Sequence, residues 1–72
     1  MTTKEILITL HKNRNGFAAL VRIVCDYSQC KLDENTDGAA TCKTVFMERL
    51  LDYVPNLSWD ARNNFFNYLY GA

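Results

Sequence analysis

The chain has 72 residues, of which 49% are apolar and 22% charged, and eight basic residues balance eight acidic ones. This length allows one domain with a small core, which buries only about 60% of the surface that the unfolded chain exposes. The apolar fraction excludes an intrinsically disordered chain. The zero net charge removes the overall field on which nucleic-acid-binding proteins rely. We therefore expect one small domain spanning residues 1–72.

The location of the protein is predicted from the features that its sequence lacks. The apolar runs are far shorter than the roughly 20 residues that cross a bilayer. The first residues, Met-Thr-Thr-Lys-Glu, do not have the basic-then-apolar order of a secretion signal. Three cysteines are an odd number for a disulfide framework. We expect a cytoplasmic protein that does not interact with a membrane.

Capping residues and turn residues predict two helices in the first half of the chain. Thr2 and Glu5 have the capping-box spacing that starts a helix, and the Asn, Gly and basic residues of segment 12–16 are typical of a helix end. A second helix is predicted from residue 15 or 16 to residue 31, although β-branched residues in its middle also allow a strand. The acidic segment 32–38 is the clearest predicted loop.

Two further helices are predicted in the second half. The third is capped by Thr36 or Asp37 and ends before Pro55, which cannot continue a helix. Ser58 is a suitable N-cap for a fourth helix from residue 59 to residue 70. The predicted fold is all-α, a compact bundle of about four short helices.

Apolar residues that recur every three or four positions predict the face of each long helix that points to the core. These stripes are Phe17, Leu20, Val21, Val24 and Ser28 on the second helix, Ala39, Cys42, Phe46, Arg49, Leu50 and Tyr53 on the third, widened by Val45, Leu51 and Val54, and Ala61, Phe65, Tyr68 and Leu69 on the fourth.

The fourth helix carries the predicted interaction surface. Nine aromatic residues are more than a core of this size is expected to absorb, and Trp and Tyr are favoured at interfaces. We expect a protein partner, or a second copy in a homodimer, to bind there. The predicted contacts are Trp59, Phe66 and Tyr70 as anchors, with Arg62 and Asn63 at the rim.

An alternative function is that of a helix-turn-helix-like DNA-binding regulator. Ser58, Arg62, Asn63 and Asn67 would form a polar face on the same helix, and Asn and Arg pair with adenine and guanine edges. However, Arg62 is the only basic residue of that helix, and the preceding helix carries acids that phosphates would repel. We therefore expect a nucleic-acid partner less than a protein partner.

His11, Cys25, Cys30 and Cys42 are the residue types that could hold zinc or act as a nucleophile and its base. Cys25 and Cys30 would point to different faces of one helix, and cysteines on apolar stripes behave as small hydrophobes. We expect buried free thiols and no metal site. The sequence contains no phosphate-binding, dinucleotide-binding or calcium-binding motif. We therefore predict no catalytic residue, no cofactor and no enzymatic activity.

In its small size, zero net charge and lack of catalytic motifs, the chain is similar in kind to the small accessory or regulatory proteins of phage and mobile elements. The predicted function is that of a small non-enzymatic protein-binding or regulatory module.

Overall fold

The computed structural model describes residues 1–71 and contains four α-helices. They are α1 (Thr3–His11), α2 (Arg14–Leu32), α3 (Thr36–Tyr53) and α4 (Trp59–Gly71). The predicted all-α fold is confirmed, and α2 is helical throughout, so its β-branched residues do not form a strand. Among the described residues, no helix is both long and apolar enough to cross a membrane.

The first helix begins at the predicted capping box. The Glu5 backbone N–H donates to the Thr2 hydroxyl at 3.3 Å, and the Thr2 backbone N–H donates to a Glu5 carboxylate oxygen at 3.1 Å. Hydrogen bonds from the Thr2 backbone and then from its hydroxyl lower the pKa of the Glu5 carboxyl. The helix ends at His11, and the backbone N–H of the C-cap residue Lys12 donates to carbonyls of the last turn. Local chemistry alone therefore fixes the start of α1.

Asparagines cap the two long helices, one or two residues earlier than predicted. The Asn13 side chain accepts from the Gly16 N–H at 2.9 Å, and the Asn35 side chain accepts from the Gly38 N–H at 3.0 Å. The prediction that Thr36 or Asp37 caps α3 is therefore wrong, because Thr36 is already helical. Asn is as good an N-cap as Asp and better than Thr, and the N–H that it satisfies belongs to a glycine in both helices.

Two residues with positive φ allow the chain to reverse between helices. Glu34, at φ 58°, separates α2 from α3, and Asn56, at φ 68°, follows Pro55 in the turn between α3 and α4. Asn is one of the few residues with a side chain that adopts this left-handed conformation readily. These short connections place neighbouring helices against each other.

The core is formed mainly where α2 and α3 pack together, and α4 closes it. Its buried members are Ile6, Leu10, Leu20, Val24, Phe46, Met47, Leu50, Val54, Leu57, Phe65 and Phe66. Four residues of the predicted stripes lie on the surface instead: Val21, Val45, Arg49 and Tyr68. Met47, which the stripe on α3 omitted, is buried. The apolar arcs of these helices are broad, and the neighbouring helices decide which part of each arc faces inward.

Candidate protein-binding surface

The predicted anchor Phe66 is part of the core. Its side chain is only 1% exposed. Its ring meets the ring of Tyr27 edge to face, with centroids 4.9 Å apart, and the ring of Phe46 with centroids 5.0 Å apart. The Lys43 ammonium lies 5.4 Å from its centroid. The expectation that Phe66 lies on the surface is therefore wrong, because its face of α4 packs against α2 and α3.

The two predicted rim residues are also turned toward the rest of the protein. The Arg62 guanidinium donates to the Met47 carbonyl at 3.0 Å, and its Nε donates to the Ser58 carbonyl at 3.3 Å. Asn63 is half-buried, and its side-chain oxygen has no hydrogen-bond partner among the described residues. Arg62 thus joins α4 to α3.

The remaining anchors, Trp59 and Tyr70, are 56% and 41% exposed. Trp59 borders a shallow hollow on α3 with Lys43 and Met47. Tyr70 packs edge to face on Tyr27, with centroids 5.0 Å apart. The two side chains lie at opposite ends of α4, roughly 16 Å apart along its axis. They therefore do not form one continuous patch.

The polar face required by the nucleic-acid alternative is largely occupied by contacts within the protein. Ser58 is the predicted N-cap of α4, and its hydroxyl accepts from the Ala61 N–H at 3.1 Å. Arg62 and Asn63 are engaged or half-buried as described above, whereas Asn67 is exposed. DNA binding remains an untested prediction. Of the four side chains predicted to contact DNA, only Asn67 is both exposed and free of a hydrogen bond to another described residue of the protein.

A groove that the sequence did not suggest runs between α2 and the end of α4. Its walls are formed by Val21, Val24, Cys25, Ser28, Gln29, Leu32, Leu69 and Tyr70. Leu32 is 78% exposed, and Val21 is also exposed. Val21 and Ser28 belong to the predicted core stripe of α2, and Leu32 belongs to the predicted loop. A detectable signal was present, however, because Val21, Cys25, Ser28 and Leu32 are spaced by four, three and four residues.

The three cysteines and His11 do not form one site. His11 lines a hollow with Leu7 and Phe17 at the junction of α1 and α2. Cys25 is exposed in the groove, whereas Cys30 and Cys42 are half-buried. The expectation that all three thiols are buried is therefore wrong. Within residues 1–71, no three His, Cys, Asp or Glu side chains are grouped so that they could hold a metal ion.

Cys42 has a perturbed thiol. Burial raises the pKa of this thiol, and the neighbouring Cys30 thiol and the Asp26 carboxylate raise it further. A thiol with a raised pKa is a poor nucleophile at neutral pH, because less of it is in the thiolate form.

The chain was compared with known proteins, and no protein family, no curated protein and no solved structure matches it.

Proposed function

We propose that this chain is a small non-enzymatic protein-binding module, and that the groove between α2 and α4 is its binding surface. The observation that carries the proposal is the stripe formed by Val21, Cys25, Ser28 and Leu32. Three of these residues are exposed, one is half-buried, and none is charged. The spacing of four, three and four residues is the spacing with which one helix packs along another.

The walls of the groove suit an apolar helix. Fully burying a side chain such as Leu32 contributes about 1.5–3 kcal/mol relative to leaving it in water. Leu69 and Tyr70 form the opposite wall, and a Tyr side chain offers a rigid ring with a polar tip that stays in water. Binding an amphipathic helix in a groove is a common form of protein recognition.

The occupant that we propose is helix α2 of a second copy of the chain. If two α2 helices cross in opposite directions about a twofold axis, Val21 of one copy faces Leu32 of the other. Cys25 then faces Ser28, so small side chains meet at the centre and the two helices can approach closely. An isologous dimer requires a surface that is complementary to itself, and this stripe meets that requirement.

The assembly state of the reduced protein tests this proposal. Native mass spectrometry and sedimentation over a concentration series should show a dimer. Leu32→Glu should raise the dissociation constant of the dimer by a factor of about 100 or more, because each dimer buries this position twice. Ile8→Glu is the matched control, since Ile8 is exposed on α1 and does not line the groove. Alkylation of Cys25 should also slow as the dimer forms.

Two results would contradict the proposal. A wild-type chain that stays monomeric up to a concentration of about 1 mM would exclude the second copy as the occupant. Equal weakening by Ile8→Glu and Leu32→Glu would place the contact elsewhere. Circular dichroism of both variants must show unchanged helix content, so that a loss of assembly is not a loss of fold.

A further inference from the structure

Cys30 lies near the end of α2, and Cys42 lies on α3, the helix against which α2 mainly packs. The Cys30 sulfur lies 3.0 Å from the position that a Cβ on Gly38 would occupy. Gly38 and Cys42 are four residues apart on α3, so they lie on one face of this helix, one turn from each other. The Cys30 side chain therefore reaches α3 within one turn of Cys42, which agrees with the effect of the Cys30 thiol on the pKa of the Cys42 thiol.

Gly38 is what allows this approach. A side chain at position 38 would meet the Cys30 sulfur and the Asn35 amide, whose nitrogen would lie 2.5 Å from the added Cβ. With no side chain there, the end of α2 and the start of α3 come close together. A disulfide requires Cα atoms about 4.4–6.8 Å apart, and close helix packing at a glycine favours such a separation.

We propose that Cys30 and Cys42 are an oxidation site, which closes to an intramolecular disulfide between α2 and α3, and that Cys25 takes no part in it. Cys25 lies five residues before Cys30 on α2 and lines the groove on the side of α4. Cys30 lines a separate open hollow with Tyr27 and Ala40. The inference does not depend on the proposed dimer.

The oxidant that we name is a low-molecular-weight disulfide. The Cys30 thiolate attacks one sulfur of this oxidant, the S–S bond breaks, and one small thiol leaves. The Cys42 thiolate then attacks the Cys30 sulfur of the mixed disulfide and displaces the second small thiol. In total, the two protein thiols lose two protons and two electrons, and the small disulfide takes up these protons and electrons to become two small thiols. Cys30 reacts with the oxidant first because it lines a hollow that is open to solvent.

The experiment uses the full chain with the Cys25→Ser substitution, treated with glutathione disulfide and then with a maleimide. We expect the intact mass to fall by about 2 Da, because two hydrogens are lost, and no maleimide to be added. The same chain with Cys30→Ser or Cys42→Ser should retain one reactive thiol, recovered as one maleimide label or one glutathione adduct. The oxidised Cys25→Ser chain should melt roughly 10 °C above its reduced form, since the crosslink restricts the unfolded chain.

Three outcomes would overturn the proposal. One is a Cys25→Ser chain that carries two glutathione adducts or two maleimide labels after oxidation. Another is a disulfide only between separate chains. The third is a wild-type product in which peptide mapping joins Cys25 to Cys30 or Cys42. Circular dichroism of each reduced variant shows whether the fold is intact, so a negative result is not due to unfolding.

Discussion

Replacement of Phe66 by alanine is the sharpest test of the fold, because sequence reasoning placed this side chain on the surface and the structure places it in the core. The ring is almost fully buried among Tyr27, Phe46 and Lys43. Tyr68 lies two residues away on the same helix and is 50% exposed. Tyr68→Ala is therefore a matched control that removes an aromatic ring from the other side of α4.

The expected loss follows from burial and from the contacts of the ring. Removing a buried Phe side chain costs about 3–5 kcal/mol, and each edge-to-face aromatic contact accounts for about 0.5–1.5 kcal/mol of such a loss. A domain of this length has a total stability of about 4–11 kcal/mol. Phe66→Ala therefore removes a large share of it. Tyr68→Ala should cost less than about 1 kcal/mol.

Urea unfolding followed by far-ultraviolet circular dichroism measures both losses. The slope of free energy against urea should be unchanged in Tyr68→Ala, while the midpoint of Phe66→Ala should fall to low urea. If Phe66→Ala does not fold, Phe66→Leu should remain folded with a loss of about 1–2 kcal/mol. The packing described for α4 is wrong if Phe66→Ala and Tyr68→Ala lose the same stability.

Two further substitutions test other contacts. Gly16→Ala should destabilise the protein by about 1–2 kcal/mol, because the new Cβ would lie 2.9 Å from Tyr53 Cδ1; Gly71→Ala, which meets no atom within 4 Å, should not. Arg62→Met should cost about 1–2 kcal/mol, since the bond to the Met47 carbonyl is lost. The urea midpoints of the three variants measure these losses. An unchanged midpoint in Gly16→Ala would contradict the close contact with Tyr53, and an unchanged midpoint in Arg62→Met would contradict the hydrogen bond to Met47.

The helices were predictable because their ends depend on nearby residues. Thr2 and Glu5 bond to each other within one turn, and the Ser58 hydroxyl caps the helix that it precedes. Pro55 ends α3 because its ring removes the backbone N–H and clashes with the preceding turn of a helix. The N-cap of α3 was misplaced by one or two residues, because Asn35, Thr36 and Asp37 are all capping residues and the sequence does not show which of them has the cap geometry.

The candidate site was not predictable in the same way. On α4, aromatic residues occur on both sides of the helix, so the sequence cannot distinguish the buried Phe66 from the exposed Tyr68. Arg62 looked free because the carbonyl that it binds lies fifteen residues away in the chain. The approach of the Cys30 side chain to α3 depends on how α2 and α3 meet at Gly38.

The sequence by itself thus determined the number, type and approximate limits of the helices, because these follow from capping, turn chemistry and apolar periodicity over a few residues. Only the tertiary structure decided which part of each broad apolar arc became core. The remaining part, from Val21 to Leu32, is left open beside α4. The spacing of apolar residues along a helix shows which of them share a face, but not which face stays exposed, since that choice depends on contacts distant in sequence.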